Sequence, residues 1–181
     1  MVETEKILRE VEEISKNQFL PIIGPVKGEL LAKLITKKRP GKVLEVGTLV
    51  GYSAMLMAMY MPGSSSIVTI EKSKGLAGIA KRNIAGAGLS KRIRVIHGDA
   101  LDVIPKLKEK FGLVFLDAEK SEYLDYLKLA ESRMAKKCIV VADNVKIFAN
   151  TLSDYLDYVR NNYKSRMHDF GFDAMEVSER K

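Results

Sequence analysis

The chain has 181 residues, of which 46% are hydrophobic, so it can bury one core and does not belong to the disordered class. Its formal net charge of +7 permits an anionic partner such as RNA, but 23 acidic residues are scattered among the 30 basic ones, and a solvated basic surface is the simpler explanation. The single cysteine, Cys138, excludes an internal disulfide. Because Val2–Asn17 is rich in Glu and Lys and no apolar run could span a membrane, we expect a soluble cytoplasmic protein.

Two helices are predicted before the first strand. Apolar residues recur at helical spacing within residues 2–17 and again within residues 27–35. The segment between them, Phe19–Pro25, contains two prolines and a glycine and is predicted to be a loop. We therefore expect residues 1–38 to pack as N-terminal helices on the core of a single domain that covers residues 1–181.

Short apolar runs alternate with helical segments through the rest of the chain. The predicted strands are residues 43–46, 67–70, 93–96, 113–116 and 138–142, and the predicted helices are residues 52–59, 75–87, 103–107, 123–134 and 152–163. Residues 165–168 and 174–178 are predicted to form a final hairpin. This alternation predicts an α/β fold with right-handed crossovers and a mostly parallel sheet that is covered by helices on both faces.

A glycine turn, residues 47–51, joins the first strand to the next helix. Such a turn presents backbone N–H groups and bare main chain to a nucleotide-like ligand. Its spacing is G-x-x-x-G rather than the G-x-G-x-x-G of a dinucleotide site, which disfavours an NAD-dependent oxidoreductase. By itself the motif fits a tight strand-to-helix turn without a ligand equally well.

Acidic residues follow four of the predicted strands, at Glu71, Asp99, Asp117 and Asp143. The carboxyl ends of parallel strands meet at the edge of the sheet where ligands bind, so these side chains are expected to lie close together. Glu71 lies 24 residues after Gly47, a distance at which an acid accepts hydrogen bonds from ribose hydroxyls. The alternative for Glu71 is an acid that favours the start of the next helix.

The side chains after the fourth and fifth strands have the chemistry of a magnesium site. Asp117, Asp143 and Asn144 offer hard oxygen donors, whereas neither histidine has the spacing of a zinc ligand. Lys120 lies three residues after Asp117 and is a candidate proton acceptor. A surface lysine in a loop that also contains Glu119 and Glu122 is an equally good interpretation at this point.

Five motifs together resemble, in order and spacing, the cation-dependent O-methyltransferases, a family that includes the catechol and caffeoyl-CoA O-methyltransferases. The motifs are Glu45–Ser53, Glu71, Gly98–Ala100, Leu116–Tyr123 and Ala142–Val145, and residues 23–28 look like the segment that closes over the cofactor in that family. The resemblance implies a Rossmann-like class I methyltransferase fold, with seven strands and an antiparallel C-terminal hairpin, that binds S-adenosylmethionine (SAM).

The resemblance also implies a role for each matching residue. Ile23, Glu45, Gly47, Thr48 and Ser53 would contact the methionine end of SAM, Glu71 the ribose, and Asp99 and Ala100 the adenine. Asp117, Asp143 and Asn144 would bind Mg²⁺ or another divalent cation, with Asp117 also near the cofactor. Lys120 matches the catalytic lysine of the family.

The implied function is methyl transfer from SAM to one of two vicinal oxygens of a small aromatic, catechol-like acceptor. The residues after Asn144, Val145–Asn150, depart from the Trp-x-Gly sequence that is frequent in the family, and the predicted cover over the site is short. This departure leaves a bulky acceptor, such as a hydroxylated nucleoside of tRNA, or a cover supplied by the second subunit of a homodimer, as alternatives. A SAM-binding module without catalysis is a third.

Overall fold

A seven-stranded mixed sheet forms the centre of the computed structural model, which describes residues 2–180. The strands are β1 (Lys42–Val46), β2 (Ser66–Glu71), β3 (Ile93–His97), β4 (Phe111–Leu116), β5 (Met134–Ala142), β6 (Tyr163–Asp169) and β7 (Ala174–Arg180). The helices are α1 (Val2–Asn17), α2 (Gly24–Lys38), α3 (Tyr52–Tyr60), α4 (Lys74–Gly86), α5 (Ala100–Val103), α6 (Tyr123–Glu131) and α7 (Ser153–Asn162). Short 3₁₀ turns lie at Ile104–Lys106 and Lys120–Glu122.

The strand order is β3-β2-β1-β4-β5-β7-β6, and only β7 runs antiparallel to its two neighbours. The chain moves outward from β1 to β3 and then returns to place β4 on the other side of β1. The order of the strands therefore reverses between β1 and β4, which is where open α/β sheets bind ligands. The predicted mostly parallel sheet with an antiparallel C-terminal hairpin is confirmed.

Helices cover both faces of the sheet because the parallel strands are apolar on both sides. One core contains Leu31 of α2, Met55 of α3 and Ile84 of α4, packed against Phe115 and other strand residues. The opposite core contains side chains from α5, α6 and α7. Leu8 and Val11 of α1 and Leu31 and Ile35 of α2 are buried in the first of these two cores.

Several predicted boundaries are wrong, and two of them have a clear physical reason or consequence. The second helix begins at Gly24 rather than Lys27, because Pro25 occupies its first turn, where the missing N–H of proline costs nothing. The helix predicted to reach Met134 ends at Glu131, and Met134 instead begins β5, where it pairs with Phe111 before a shift in register.

The helices are too short or too polar to cross a bilayer. Among residues 2–180, none has the length and apolar character that a membrane span requires.

Candidate functional site

The carboxyl ends of β1 to β5 open into one cavity of about 580 Å³, a volume suited to a cofactor-sized ligand. Of the residues that the sequence analysis assigned to a site, those that line this cavity are Ile23, Gly47, Thr48, Ser53, Glu71, Ala100, Asp117, Lys120, Asp143 and Asn144. Glu45 and Asp99 are not among the lining residues. The fold therefore brings most of the predicted site residues together at one edge of the sheet.

The glycine turn places bare main chain along one wall of this cavity. Gly47 has φ +98°, and a Cβ atom there would lie 2.0 Å from the carbonyl oxygen of Asp117. Gly51 has φ +88° and is the N-cap of α3. Gly47 is thus required by the close approach of its backbone to the end of β4, as well as by its dihedral angle.

Glu71 holds the glycine turn from the end of β2. Its Oε2 accepts a hydrogen bond from the backbone N–H of Leu49 at 2.8 Å, and its Oε1 accepts one from Ser73 at 2.8 Å. Leu49 has φ +50°, which is unfavourable for a residue with a Cβ atom, and the bond to Glu71 stabilises this conformation. Each carboxylate oxygen keeps a second lone pair. Glu71 can therefore hold the turn and also accept hydrogen bonds from a ligand.

Glu45 lies fully buried behind the cavity wall. Its Oε1 accepts a hydrogen bond of 2.5 Å from the Ser53 hydroxyl, while Oε2 has no hydrogen-bond partner among the described residues. Burial, with a smaller contribution from the charges of Asp117 and Glu71, raises the pKa of Glu45 to about 7. An unsatisfied buried carboxylate oxygen next to a cavity is an acceptor for a donor or cationic group of a ligand.

Asp99 does not line the cavity, and its carboxylate contacts Lys72 and the start of α5. Its Oδ2 lies 2.6 Å from the ammonium of Lys72, and its Oδ1 accepts a hydrogen bond from the backbone N–H of Leu101 at 3.0 Å. These two contacts hold the pKa of Asp99 below its ordinary value. The carboxylate therefore caps α5, whereas the next residue, Ala100, lines the cavity. A contact of Asp99 with adenine stays a prediction.

Lys120 is held at the cavity wall by two residues, Asp117 and Tyr123. Its ammonium lies 3.0 Å from Asp117 Oδ1 and donates a hydrogen bond of 2.8 Å to the Tyr123 hydroxyl. Tyr123 in turn donates to the backbone carbonyl of Asp143 at 3.3 Å. Because only 14% of its side chain is exposed, the interpretation of Lys120 as a surface lysine is wrong.

Asp143 and Asn144 belong to a network that joins three distant segments of the chain. Lys27 of α2 places its ammonium 2.6 Å from Asp143 Oδ1 and 2.5 Å from Asp173 Oδ2. The same oxygen of Asp173, which lies just before β7, accepts a hydrogen bond of 2.7 Å from the side-chain amide of Asn144. The network therefore links α2, the end of β5 and the β6–β7 turn.

The pKa values of Asp143 and Lys27 both lie above their ordinary values, for different reasons. Burial and, next, the charge of Asp117 raise the pKa of Asp143, and Lys27 opposes this shift. Burial lowers the pKa of Lys27, but Asp143 and Asp173 more than offset it, so that the pKa lies above its ordinary value. Lys27 is therefore a permanent cation at neutral pH, and the neighbouring carboxylates still repel each other.

A divalent cation fits the side chains of Asp117, Asp143 and Asn144. Burial and, next, the charge of Asp117 disfavour the ionised form of Asp143 and raise its pKa, so an added cation is favoured between these two carboxylates. Hard oxygen donors suit Mg²⁺. Within residues 2–180, no three His, Cys, Asp or Glu side chains form a metal-binding group. A cation here would therefore use the amide oxygen of Asn144 together with water or substrate, as Mg²⁺ sites commonly do.

Lys27 lies in the segment 23–28 that the resemblance placed over the cofactor, but its ion pairs were not predicted. Asp173 and the rim of the cavity were not predicted as parts of the site. The rim includes Phe19, which is almost fully exposed, and the partly exposed Ile147 and Phe148. No local pattern marks Lys27 as a partner of residues 116 and 146 positions away. The sequence contains one signal for the rim, the large apolar residues Ile147 and Phe148 in the loop shortly after Asn144.

The sheet is that of a Rossmann-like α/β domain, with its switch point between β1 and β4. The site at this point suits a nucleoside-containing ligand, because it combines a glycine turn, an acid after β2 and a group of oxygen donors. A comparison with protein families narrows this class to one family, because the family model described as O-methyltransferase matches residues 1–168. The chain belongs to this O-methyltransferase family.

Individual relatives agree with this assignment. Catechol O-methyltransferase B of Danio rerio is 39% identical over 152 residues, which cover 79% of this chain and 57% of that protein. Catechol O-methyltransferase of Niastella koreensis is 34% identical over 127 residues, which cover 68% of this chain and 58% of that protein. The chain thus spans somewhat more than half the length of these curated relatives.

The fold agrees with that of a solved O-methyltransferase structure. The O-methyltransferase from Bacillus cereus in complex with SAH superimposes on this chain with a TM-score of 0.86 and is 24% identical in sequence. The superposition includes 97% of this chain and 91% of the Bacillus cereus chain. At this identity the likeness concerns the fold alone.

Proposed function

We propose that this protein is a SAM- and Mg²⁺-dependent O-methyltransferase that methylates one of two vicinal oxygens of a small aromatic acceptor. The observation that carries the proposal is the position of Asp117. Its backbone contacts Gly47 of the glycine turn, and its side chain contacts Lys120 beside Asp143 and Asn144. One residue therefore joins the part of the cavity suited to a nucleoside ligand to the part suited to a cation.

The methionine end of SAM fits the wall formed by Gly47 and Ser53, with Glu45 buried directly behind Ser53. SAM carries an ammonium at this end, and Glu45 Oε2 is a buried acceptor without a partner among the described residues. The main chain at Gly47 allows a ligand to approach closely because no side chain intervenes. Glu71, at the end of the neighbouring strand β2, can accept hydrogen bonds from the ribose hydroxyls.

The residues at the ends of β4 and β5 would prepare the acceptor. A divalent cation held by Asp117, Asp143 and Asn144 would lower the pKa of a hydroxyl that it binds. In its neutral amine form, Lys120 would accept the proton of that hydroxyl, since Asp117 and Tyr123 fix its nitrogen at the cavity wall. The common wall through Asp117 would hold the acceptor oxygen next to the methyl group of SAM, and this proximity supplies much of the acceleration.

The rim favours a small aromatic acceptor over tRNA. Phe19, Ile147 and Phe148 offer apolar surface for a ring. The three cations that line the cavity each lie within 3.0 Å of a carboxylate, which leaves them poorly suited to bind phosphates: Lys27 with Asp143, Lys72 with Asp99 and Lys120 with Asp117. The net charge of +7 is the observation that keeps a hydroxylated tRNA nucleoside as the second candidate.

Label transfer from radioactive SAM distinguishes these candidates. The purified protein is incubated with Mg²⁺ and either a panel of catechols or bulk tRNA, and a matched panel of monophenols serves as the control. We expect label in the catechols only. Label in tRNA alone would favour the second candidate, and SAM binding without transfer to any acceptor would indicate a binding module.

A further inference from the structure

Asp173 is a buried carboxylate that the proposed reaction does not use. It lies between β6 and β7, outside every motif of the sequence analysis, and only 5% of the residue is exposed. Both of its oxygens are engaged in hydrogen bonds with residues of the cavity wall. A buried carboxylate with this many partners constrains the position or the charge of each of them.

Its first effect is on the side-chain amide of Asn144. Asp173 Oδ2 accepts a hydrogen bond of 2.7 Å from Asn144 Nδ2. Because a carboxylate can only accept, the amide nitrogen must face Asp173, and the amide oxygen is turned to the other side. An amide without such a partner could rotate and present its nitrogen, which cannot bind a cation. Asp173 therefore selects the orientation in which Asn144 can act as a metal ligand.

Its second effect is on the charge next to Asp143. The Lys27 ammonium lies 2.5 Å from Asp173 and 2.6 Å from Asp143, so two carboxylates share one cation. Without the charge of Asp173, Lys27 would pair with Asp143 alone and compete directly with a metal ion for it. Asp173 thus leaves Asp143 with part of its negative charge available.

Its third contact extends to the rim. Asp173 Oδ1 accepts a hydrogen bond of 3.3 Å from the backbone N–H of Ile147. This bond ties the segment after Asn144 to the β6–β7 turn, and Asn144 itself has the left-handed φ of +63°. The same carboxylate therefore fixes both the side chain of Asn144 and the main chain that follows it.

We propose that Asp173 is a positioning residue of the metal site: it orients the amide of Asn144 and shares Lys27 with Asp143. The proposal deepens the proposed function and rests on it, because it assumes that Asp117, Asp143 and Asn144 bind a divalent cation. Residues that hydrogen-bond to metal ligands typically change metal affinity 10- to 100-fold when they are replaced. Asp173 has this relation to two ligands at once, directly to Asn144 and through Lys27 to Asp143.

The test is the affinity for Mn²⁺, measured by electron paramagnetic resonance on the purified protein without acceptor. The variant Asp173→Asn keeps the shape of the side chain and removes its charge. Glu176→Gln is the matched control, because Glu176 is a buried carboxylate of the same hairpin that pairs with Arg160 instead. We expect Asp173→Asn to weaken Mn²⁺ binding by about 10- to 100-fold, while Glu176→Gln leaves it unchanged. Calorimetry should give the same SAM affinity for both variants and the wild type.

The outcomes separate the two proposals. If the wild type binds Mn²⁺ and Asp173→Asn binds it equally well, the role of Asp173 is overturned and the proposed function stands. If both variants lose Mn²⁺ affinity together with thermal stability, Asp173 acts on the fold and the positioning role is also overturned. If the wild type itself does not bind Mn²⁺, the metal site of the proposed function fails.

Discussion

The two ends of the cavity are built in different ways. At the end formed by the glycine turn, the hydrogen bonds of the acidic side chains span short sequence distances, from two positions for Glu71 with Ser73 to 22 positions for Glu71 with Leu49. At the opposite end, Lys27 reaches Asp143 and Asp173 across 116 and 146 positions. The first end is a local motif, whereas the second exists only after the N-terminal helices, β5 and the hairpin have come together.

This difference indicates that substitutions can change one end of the cavity without changing the other. The hydrogen bonds of Glu45 and Glu71 at the nucleoside end lie within residues 45–73, so they form once β1, the glycine turn and β2 have come together. The cation end depends on long-range contacts, and changes in α2 or in the hairpin can alter it while the glycine turn stays intact. We expect variants in the two ends to have separable effects on SAM and on metal binding.

The largest effect is expected where the two ends meet, at Gly47. In Gly47→Ala the new Cβ would lie 2.0 Å from the carbonyl oxygen of Asp117, so β1 and β4 would have to separate. We expect a loss of about 5 kcal/mol or more in the free energy of unfolding, measured by urea denaturation, or no folded protein. Gly171→Ala is the control, because Gly171 has a similar φ of +91° and no atom within 4 Å of the new Cβ. It should cost only the backbone strain of about 1–3 kcal/mol, and an equal loss in both variants would contradict the close-approach argument.

The next effect concerns Lys120, which lies at the cation end. Lys120→Ala should lower kcat by about 10²- to 10⁴-fold, the usual contribution of a general base. The affinity for SAM, measured by calorimetry, should change far less because the glycine turn is not altered. Lys146→Ala is the control, since Lys146 forms an exposed pair with Asp169 outside the cavity lining. A full turnover rate in Lys120→Ala would refute the role of Lys120 as base.

A smaller, pH-dependent effect is expected at the nucleoside end, at Glu45. Its pKa is about 7 in the folded protein and close to 4.5 in the unfolded chain, so the folded state binds a proton more tightly. Stability from this group is therefore full below pH 4.5 and is lost as the pH rises through 7. Glu45→Gln removes the titration, and without ligand it should be more stable than the wild type by about 3 kcal/mol at pH 8, with most of the gain lost at pH 5. Urea denaturation at both pH values measures the difference, and a gain that does not change with pH would contradict the assignment.

The sequence predicted the fold well because its signals are local. Short apolar strands, helices between them and the G-x-x-x-G turn are each readable over about ten residues. The meeting of Glu71, Asp117, Asp143 and Asn144 at one edge also followed, because the carboxyl ends of parallel strands share an edge. Errors were confined to ends of elements, such as the start of α2 at Gly24, where a proline in the first turn was interpreted as part of a loop.

The rest of the site could not be predicted from local patterns. Lys27 looks like one of several lysines on an amphipathic helix, and Asp173 looks like an ordinary turn residue. Their importance comes from a pair of ion contacts that the fold creates, and a single sequence contains no trace of that pairing. Asp99 shows the opposite case, in which the local pattern is clear but the side chain caps a helix instead of lining the cavity. An acid after a strand can serve mainly as the cap of the next helix.

The central claim is that both ends of the cavity serve one reaction. The most direct test is to remove the divalent cation and then to add it back. Methyl transfer from SAM to a catechol is measured after treatment with EDTA and again after addition of excess Mg²⁺, and SAM binding is measured by calorimetry on the same samples. The account predicts that EDTA abolishes transfer, that Mg²⁺ restores it and that SAM remains bound throughout. Transfer that continues at the same rate in EDTA would contradict the assignment of Asp117, Asp143 and Asn144 as the metal ligands.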